Sequence, residues 1–135
     1  MISSGYTELR KAHLDHIRIA DSGTEESHYL LFFYGLECGL KSIYIKRNKM
    51  LRTDQIRDEN TRSTHDLFML IKTLRLPAQI AGTASPSFRL ERDGTALPIK
   101  YAHEAWRYGI SIRSDDLKNL LAWMQNIRNW IKETI

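Results

Sequence analysis

HYLLFFYGLECGLKSIYIKRN, His28 to Asn48, is the most apolar stretch of the chain, and its reading decides the fold. From Tyr29 to Ile45 it is apolar nearly all round, as expected for the helix at the centre of a bundle. Glu37 and Lys41 interrupt it, so it falls short of the about 20 apolar residues of a membrane span and reads as a buried helix from about Glu25 to Lys46. Those two residues stand four apart with the acid on the N-terminal side, the better order for a pair on one helix face. They form an ordinary surface pair, a buried structural pair that is costly to break, or a pair in which Glu37 orients Lys41 toward a ligand phosphate. Gly35 and Gly39 are explained by close helix packing, and Cys38 by burial as a small hydrophobe.

Upstream, GYTELRKAHLDHIRIA places Leu9, Ala12, His13, His16, Ile17 and Ala20 three and four apart, the stripe of an amphipathic helix ending near Asp21. Gly23 breaks it, and Thr24 is a candidate N-cap for the apolar helix. Downstream, STHDLFMLIKTLRLP carries Leu67, Leu70, Ile71 and Leu74 as a core stripe, with Ser63 or Thr64 as cap and a stop at Pro77. AQIAGTASPS reads as a flexible loop, and SFRLERDGTALPIKY as a short hairpin about Asp93-Gly94, confined to an edge by Pro98. SDDLKNLLAWMQNIRNWIKETI is the clearest helix, with Ser114 as cap and Leu117, Leu120, Leu121, Met124, Ile127 and Ile131 on one face. The expectation is a single all-α domain over 1–135: an up-and-down four-helix bundle with a short irregular or hairpin insert before the last helix.

At 135 residues, 42% hydrophobic and 27% charged, the composition is that of one globular domain. The N-terminus lacks the order of a secretory signal and the single Cys38 cannot form an internal disulfide, which points to a reducing, cytoplasmic setting without membrane insertion. The net charge of +4 is unevenly spread. Lys46, Arg47, Lys49, Arg52, Arg57 and Arg62 face only Asp54, Asp58 and Glu59 in the middle connection, a cluster that either attracts phosphate-bearing partners or serves as a solvated loop.

Metal-free RNA cleavage needs a base for the 2′-hydroxyl proton, an acid for the leaving oxygen and a cation for the charge developing on phosphorus. His65, at a helix start near Arg57 and Arg62, suits that chemistry; the alternative is that it caps or packs its helix. The other histidines, His13, His16, His28 and His103, are scattered, and no set of metal ligands or cofactor motif is expected from their spacing. Trp106, Arg107 and Tyr108 can clamp a base, or else the two aromatics seal the bundle end while Arg107 pairs with an acid. Trp123 and Trp130, seven apart on the last helix, suggest apolar surface for a homodimer.

The order of YGLECGLKSIYI (34–45), STHDLFMLIKTL (63–74) and YAHEAWRYGI (101–110) resembles the HEPN family (higher eukaryotes and prokaryotes nucleotide-binding) over about residues 5–134. The resemblance implies a helical bundle, usually homodimeric, found in toxin–antitoxin and defence systems and beside nucleotidyltransferases. Its members are metal-independent ribonucleases or nonenzymatic RNA and nucleotide binders. The ribonucleases carry Arg-x(4-6)-His. This chain departs from that pattern, since seven residues separate Arg57 from His65 and two separate Arg62 from it. RNA or nucleotide binding is therefore expected ahead of catalysis, with Lys41, Arg47, Arg52, Arg107 and Tyr108 as contacts and Arg57 and His65 as the catalytic candidates. A nonenzymatic dimeric module or antitoxin-like subunit is the alternative.

Overall fold

The apolar stretch forms one unbroken helix, α2 (Glu26–Arg47), in a computed structural model that describes residues 2–57 and 65–135. Before it runs α1 (Tyr6–Ala20), and after it α3 (Leu67–Leu74) and the short α4 (Ala78–Ala81). A hairpin follows, β1 (Ser87–Arg89) paired antiparallel with β2 (Ala96–Pro98), then a 3-10 turn at Ile99–Tyr101, α5 (Ala102–Arg107) and α6 (Ser114–Thr134). The chain is thus mostly helical with one small sheet. Among the described residues no helix is long and apolar enough to cross a membrane.

α2 is central because it is apolar on every side: it packs on α1, α3, α5 and α6. Phe33, Leu36, Leu40 and Ile43 meet Leu67, Leu70 and Ile71 of α3, Trp106 of α5, and Leu120, Met124, Ile127 and Ile131 of α6 in one core. Each such large side chain, fully buried, contributes about 1.5–3 kcal/mol. The α1 contact is close, since a Cβ at Gly39 would lie 2.7 Å from His13 Nδ1 and one at Gly35 3.0 Å from Ile17 Cδ1. Leu9, Ile45 and Ile56 form a second, smaller cluster at the far end of α2.

Several expected boundaries move. Ser63 and Thr64, the expected caps of α3, lie outside the described residues, as does Arg62; Asp66 caps that helix, accepting from the N–H groups of Phe68 and Met69 at 3.1 and 3.3 Å. Glu25 rather than Thr24 precedes α2, and Arg113 precedes α6, so Ser114 is its first helical residue. Ala78–Ala81, expected as loop, makes one helical turn. Residues 101–110, expected to be irregular, are mostly helical because Ile99, Ala102, Ala105 and Trp106 bury a common side in the core. That helix stops where Gly109 (φ 66°) allows the Ile110 N–H to reach the Ala105 carbonyl (2.8 Å) and its own N–H to reach that of Trp106 (3.3 Å).

The hairpin turns at Gly94 (φ 72°) and is tied to α6 by Arg89, whose guanidinium grips both oxygens of Asp116 at 2.9 and 3.1 Å. Arg89 in turn holds the Asp116 carboxyl below the usual carboxylate range.

Candidate functional site

Glu37 is the pivot of the site. It lies in mid-helix, 6% exposed, which an ionised carboxylate tolerates only when paired. Lys41 Nζ approaches its Oε1 at 3.4 Å and His65 Nδ1 at 3.0 Å. The Lys41 side chain is itself only 13% exposed, so the two do not form an ordinary surface pair. A carboxylate only accepts, so a hydrogen on His65 Nδ1 is the one that would face Glu37 across this 3.0 Å contact.

The His103 ring of α5 packs on His65 with centroids 4.5 Å apart. His103 is 6% exposed, and its Nδ1 is buried without a hydrogen-bond partner. Burial first, and then the neighbouring His65, push the imidazole below its ordinary 6.5; the Lys100 backbone acts against them, although no well-formed hydrogen bond reaches Nδ1. Tyr34, one turn before Glu37 on α2, stands 6.0 Å from the His65 ring and 6.5 Å from the His103 ring. Its hydroxyl accepts from Arg107 Nη2 at 2.7 Å, which holds an exposed guanidinium at the rim. Beside the two imidazoles is an open depression of about 240 Å³, also walled by Lys100, Tyr101 and Glu104.

Two imidazoles in ring contact, one of them beside a carboxylate, with the Arg107 guanidinium nearby, can take a proton from one oxygen, return one to another and balance anionic charge between them. Among the described residues no group of three or more His, Cys, Asp and Glu is arranged to hold a metal ion.

Of the residues singled out in the sequence, Lys41, His65 and Arg107 come together here. Tyr108 is exposed beside them and lines an adjoining cavity. The rest lie elsewhere. Arg47 donates to the Leu74 carbonyl at 3.1 Å and lies 5.4 Å from the Trp130 ring, so it fastens α2 to α3 and α6. Arg52 is exposed and its backbone bridges to Gly5. Arg57 is exposed, and among the described residues no hydrogen bond or ion pair links it to His65. Trp106 is core, edge-on to Phe33, and not a stacking platform. Trp123 and Trp130 are both partly buried, and Trp123 donates to the Ala81 carbonyl at 2.9 Å.

Sequence reasoning missed His103 and Tyr34. The signal for His103 was its place four before Arg107, on one face of a helix that ends at a glycine. Cys38, next to Glu37, takes no part: burial and then Glu37 push its thiol up to about 11, away from the reactive thiolate. Comparison with known proteins identifies no relative, since no family model, no curated protein and no solved structure matches the chain.

Proposed function

We propose that this chain is a HEPN-like RNA- or nucleotide-binding domain whose ligand phosphate sits against His65, His103 and Arg107, and that toward RNA it acts as a metal-independent endoribonuclease. One observation carries the reading: a carboxylate-steered imidazole lies against a second imidazole whose buried Nδ1 lacks a partner, at the wall of an open depression. In this reading His103, kept neutral by burial, takes the 2′-hydroxyl proton. The 2′-oxygen bonds to phosphorus, the bond from phosphorus to the 5′-oxygen breaks, and His65 supplies that oxygen with a proton. Arg107 faces the charge on the phosphorane, and the products are a 2′,3′-cyclic phosphate and a 5′-hydroxyl. In the same reading α1, α2, α3 and α6 are the members of an up-and-down four-helix bundle, the setting is cytoplasmic, and the biological context is a toxin–antitoxin or defence system.

The test is incubation of end-labelled single-stranded RNA with the protein in EDTA. Cleavage leaving cyclic phosphates, blocked by 2′-deoxy substitution at the cut and reduced about 10²–10⁴-fold by His65→Ala or His103→Ala, supports the nuclease. RNA bound in low salt but never cut reduces the reading to binding. No binding at low salt removes it and leaves the second reading, a dimeric interaction module or antitoxin-like subunit with a nucleotidyltransferase or another protein as partner. That alternative is favoured by Leu14 and Ile19, 47% and 40% exposed on α1, and sedimentation of the free chain measures whether it is a homodimer.

A further inference from the structure

A second cavity, of about 290 Å³, lies on the other side of Tyr101 and Glu104 from the imidazole pair. Those two residues line both spaces, so the two adjoin and share a wall. Its floor is apolar, with Leu90 and Leu97 of the hairpin region, and two tyrosine rings border it, Tyr101 at 37% and Tyr108 at 67% exposure. The volume falls just below the about 300–1,000 Å³ of whole-ligand pockets, which suits one flat ring system and not an entire nucleotide. Exposed tyrosines at the mouth of an apolar slot are the kind of surface on which bases stack.

Two charged groups stand at this slot, Glu104 from α5 and Arg92 from the hairpin turn. Among the described residues Arg92 has one ion-pair partner, Asp93, at a loose 3.7 Å, so its guanidinium retains donors. A carboxylate offers two acceptors side by side, and a guanidinium two donors side by side. Among the four RNA bases, only guanine presents two adjacent donors, N1–H and N2–H₂, on one edge, and two adjacent acceptors, O6 and N7, on another. Adenine and cytosine each set a ring-nitrogen acceptor beside their amino group, and that acceptor faces a carboxylate unfavourably. Uracil flanks its single N–H with carbonyls.

We infer that this slot is a base-recognition subsite selective for guanine, with Glu104 accepting from N1–H and N2–H₂, Arg92 donating to O6 or N7, and Tyr101 and Tyr108 bounding the ring faces. The inference rests on the phosphate reading of the imidazole pair, because the shared wall is what joins the slot to a nucleotide. It makes the domain a reader of guanosine next to the phosphate it holds.

The measurement is calorimetric titration of the whole protein with GMP, AMP, CMP and UMP, repeated with the Glu104→Gln variant. Expected is a preference of about tenfold or more for GMP, the discrimination of one good bidentate contact, and its collapse in Glu104→Gln, whose amide offers one donor where an acceptor is needed. Guanosine, without a phosphate, should still bind the slot and compete with GMP. Equal binding of the four monophosphates, all weakened by His65→Ala, would overturn the guanine subsite and leave the phosphate site standing. A GMP preference untouched by Glu104→Gln overturns the assignment of Glu104 and with it the subsite. No binding of any monophosphate overturns both the subsite and the phosphate reading.

Discussion

Two histidines of this protein are buried to nearly the same degree, His13 at 4% exposure and His103 at 6%, and burial is the leading cause holding both imidazoles below their ordinary value. They differ in what their Nδ1 atoms meet. His13 Nδ1 donates to the Gly35 carbonyl at 2.7 Å, in the tight seam between α1 and α2 where Gly39 makes room for its ring. His103 Nδ1 has no well-formed hydrogen-bond partner, while its ring packs at a tilt on a second imidazole beside open space. A buried polar group without a partner costs about 1–3 kcal/mol, so the α1–α2 seam is built for stability and the α2–α5 corner gives stability up. Concessions of that kind cluster where chemistry is done.

The sharpest way to break this contrast is to exchange the roles of the two rings. His103→Leu should lower RNA cleavage about 10²–10⁴-fold while leaving the melting temperature unchanged or higher, since the orphaned nitrogen leaves with the ring. Activity retained, or a melt lowered by several degrees, would mean that His103 belongs with His13. Next in size is Gly39→Ala, whose Cβ would stand 2.7 Å from His13 Nδ1 and 3.0 Å from Ile131 Cγ2. Overpacking of this kind costs about 1–3 kcal/mol, read in a urea melt, with no change in RNA affinity at temperatures where the fold persists. His13→Leu should cost less, about 0.5–1.5 kcal/mol, because Gly35 lies within α2 and only one hydrogen bond is removed.

The smallest expected effect is on the pH dependence of stability. Both imidazoles have folded-state values below the 6.5 of an unperturbed histidine, so below that pH the unfolded chain binds more protons. Their neutral-state stability is fully present above 6.5 and is lost as pH falls from there through the depressed folded values. Melting temperature should therefore decline on acidification below 6.5, and His13→Leu should make the decline shallower. An unchanged slope in His13→Leu would show that the α1–α2 seam does not titrate in this range.

The sequence supported the long elements for a simple reason: a stripe repeating every three or four residues has no competing explanation over the length of α1 or α6. The same local rule failed at Ala102–Arg107, too short for a periodic signal and stabilised by what it packs on. The site divides in the same way. Lys41, His65 and Arg107 were conspicuous as charges or a histidine in unusual surroundings. Arg47 was equally conspicuous, yet it serves packing.

What the chain alone determined is the central apolar helix with an acid and a lysine one turn apart inside it, the flanking helices, the Asp93-Gly94 turn and the concentration of positive charge after α2. These follow from periodicity, turn chemistry and charge, which act between near neighbours. Only the tertiary structure decided that Glu37 turns to His65, that His103 stacks on that ring, and that Tyr34 and Arg107, 73 positions apart, share a hydrogen bond. Those contacts join α2, the approach to α3 and α5. They exist because Phe33, Leu67 and Trp106 bury together in one core, and burial is non-directional: it specifies which residues go inside, while the shape of the packed core specifies which polar groups are left facing one another.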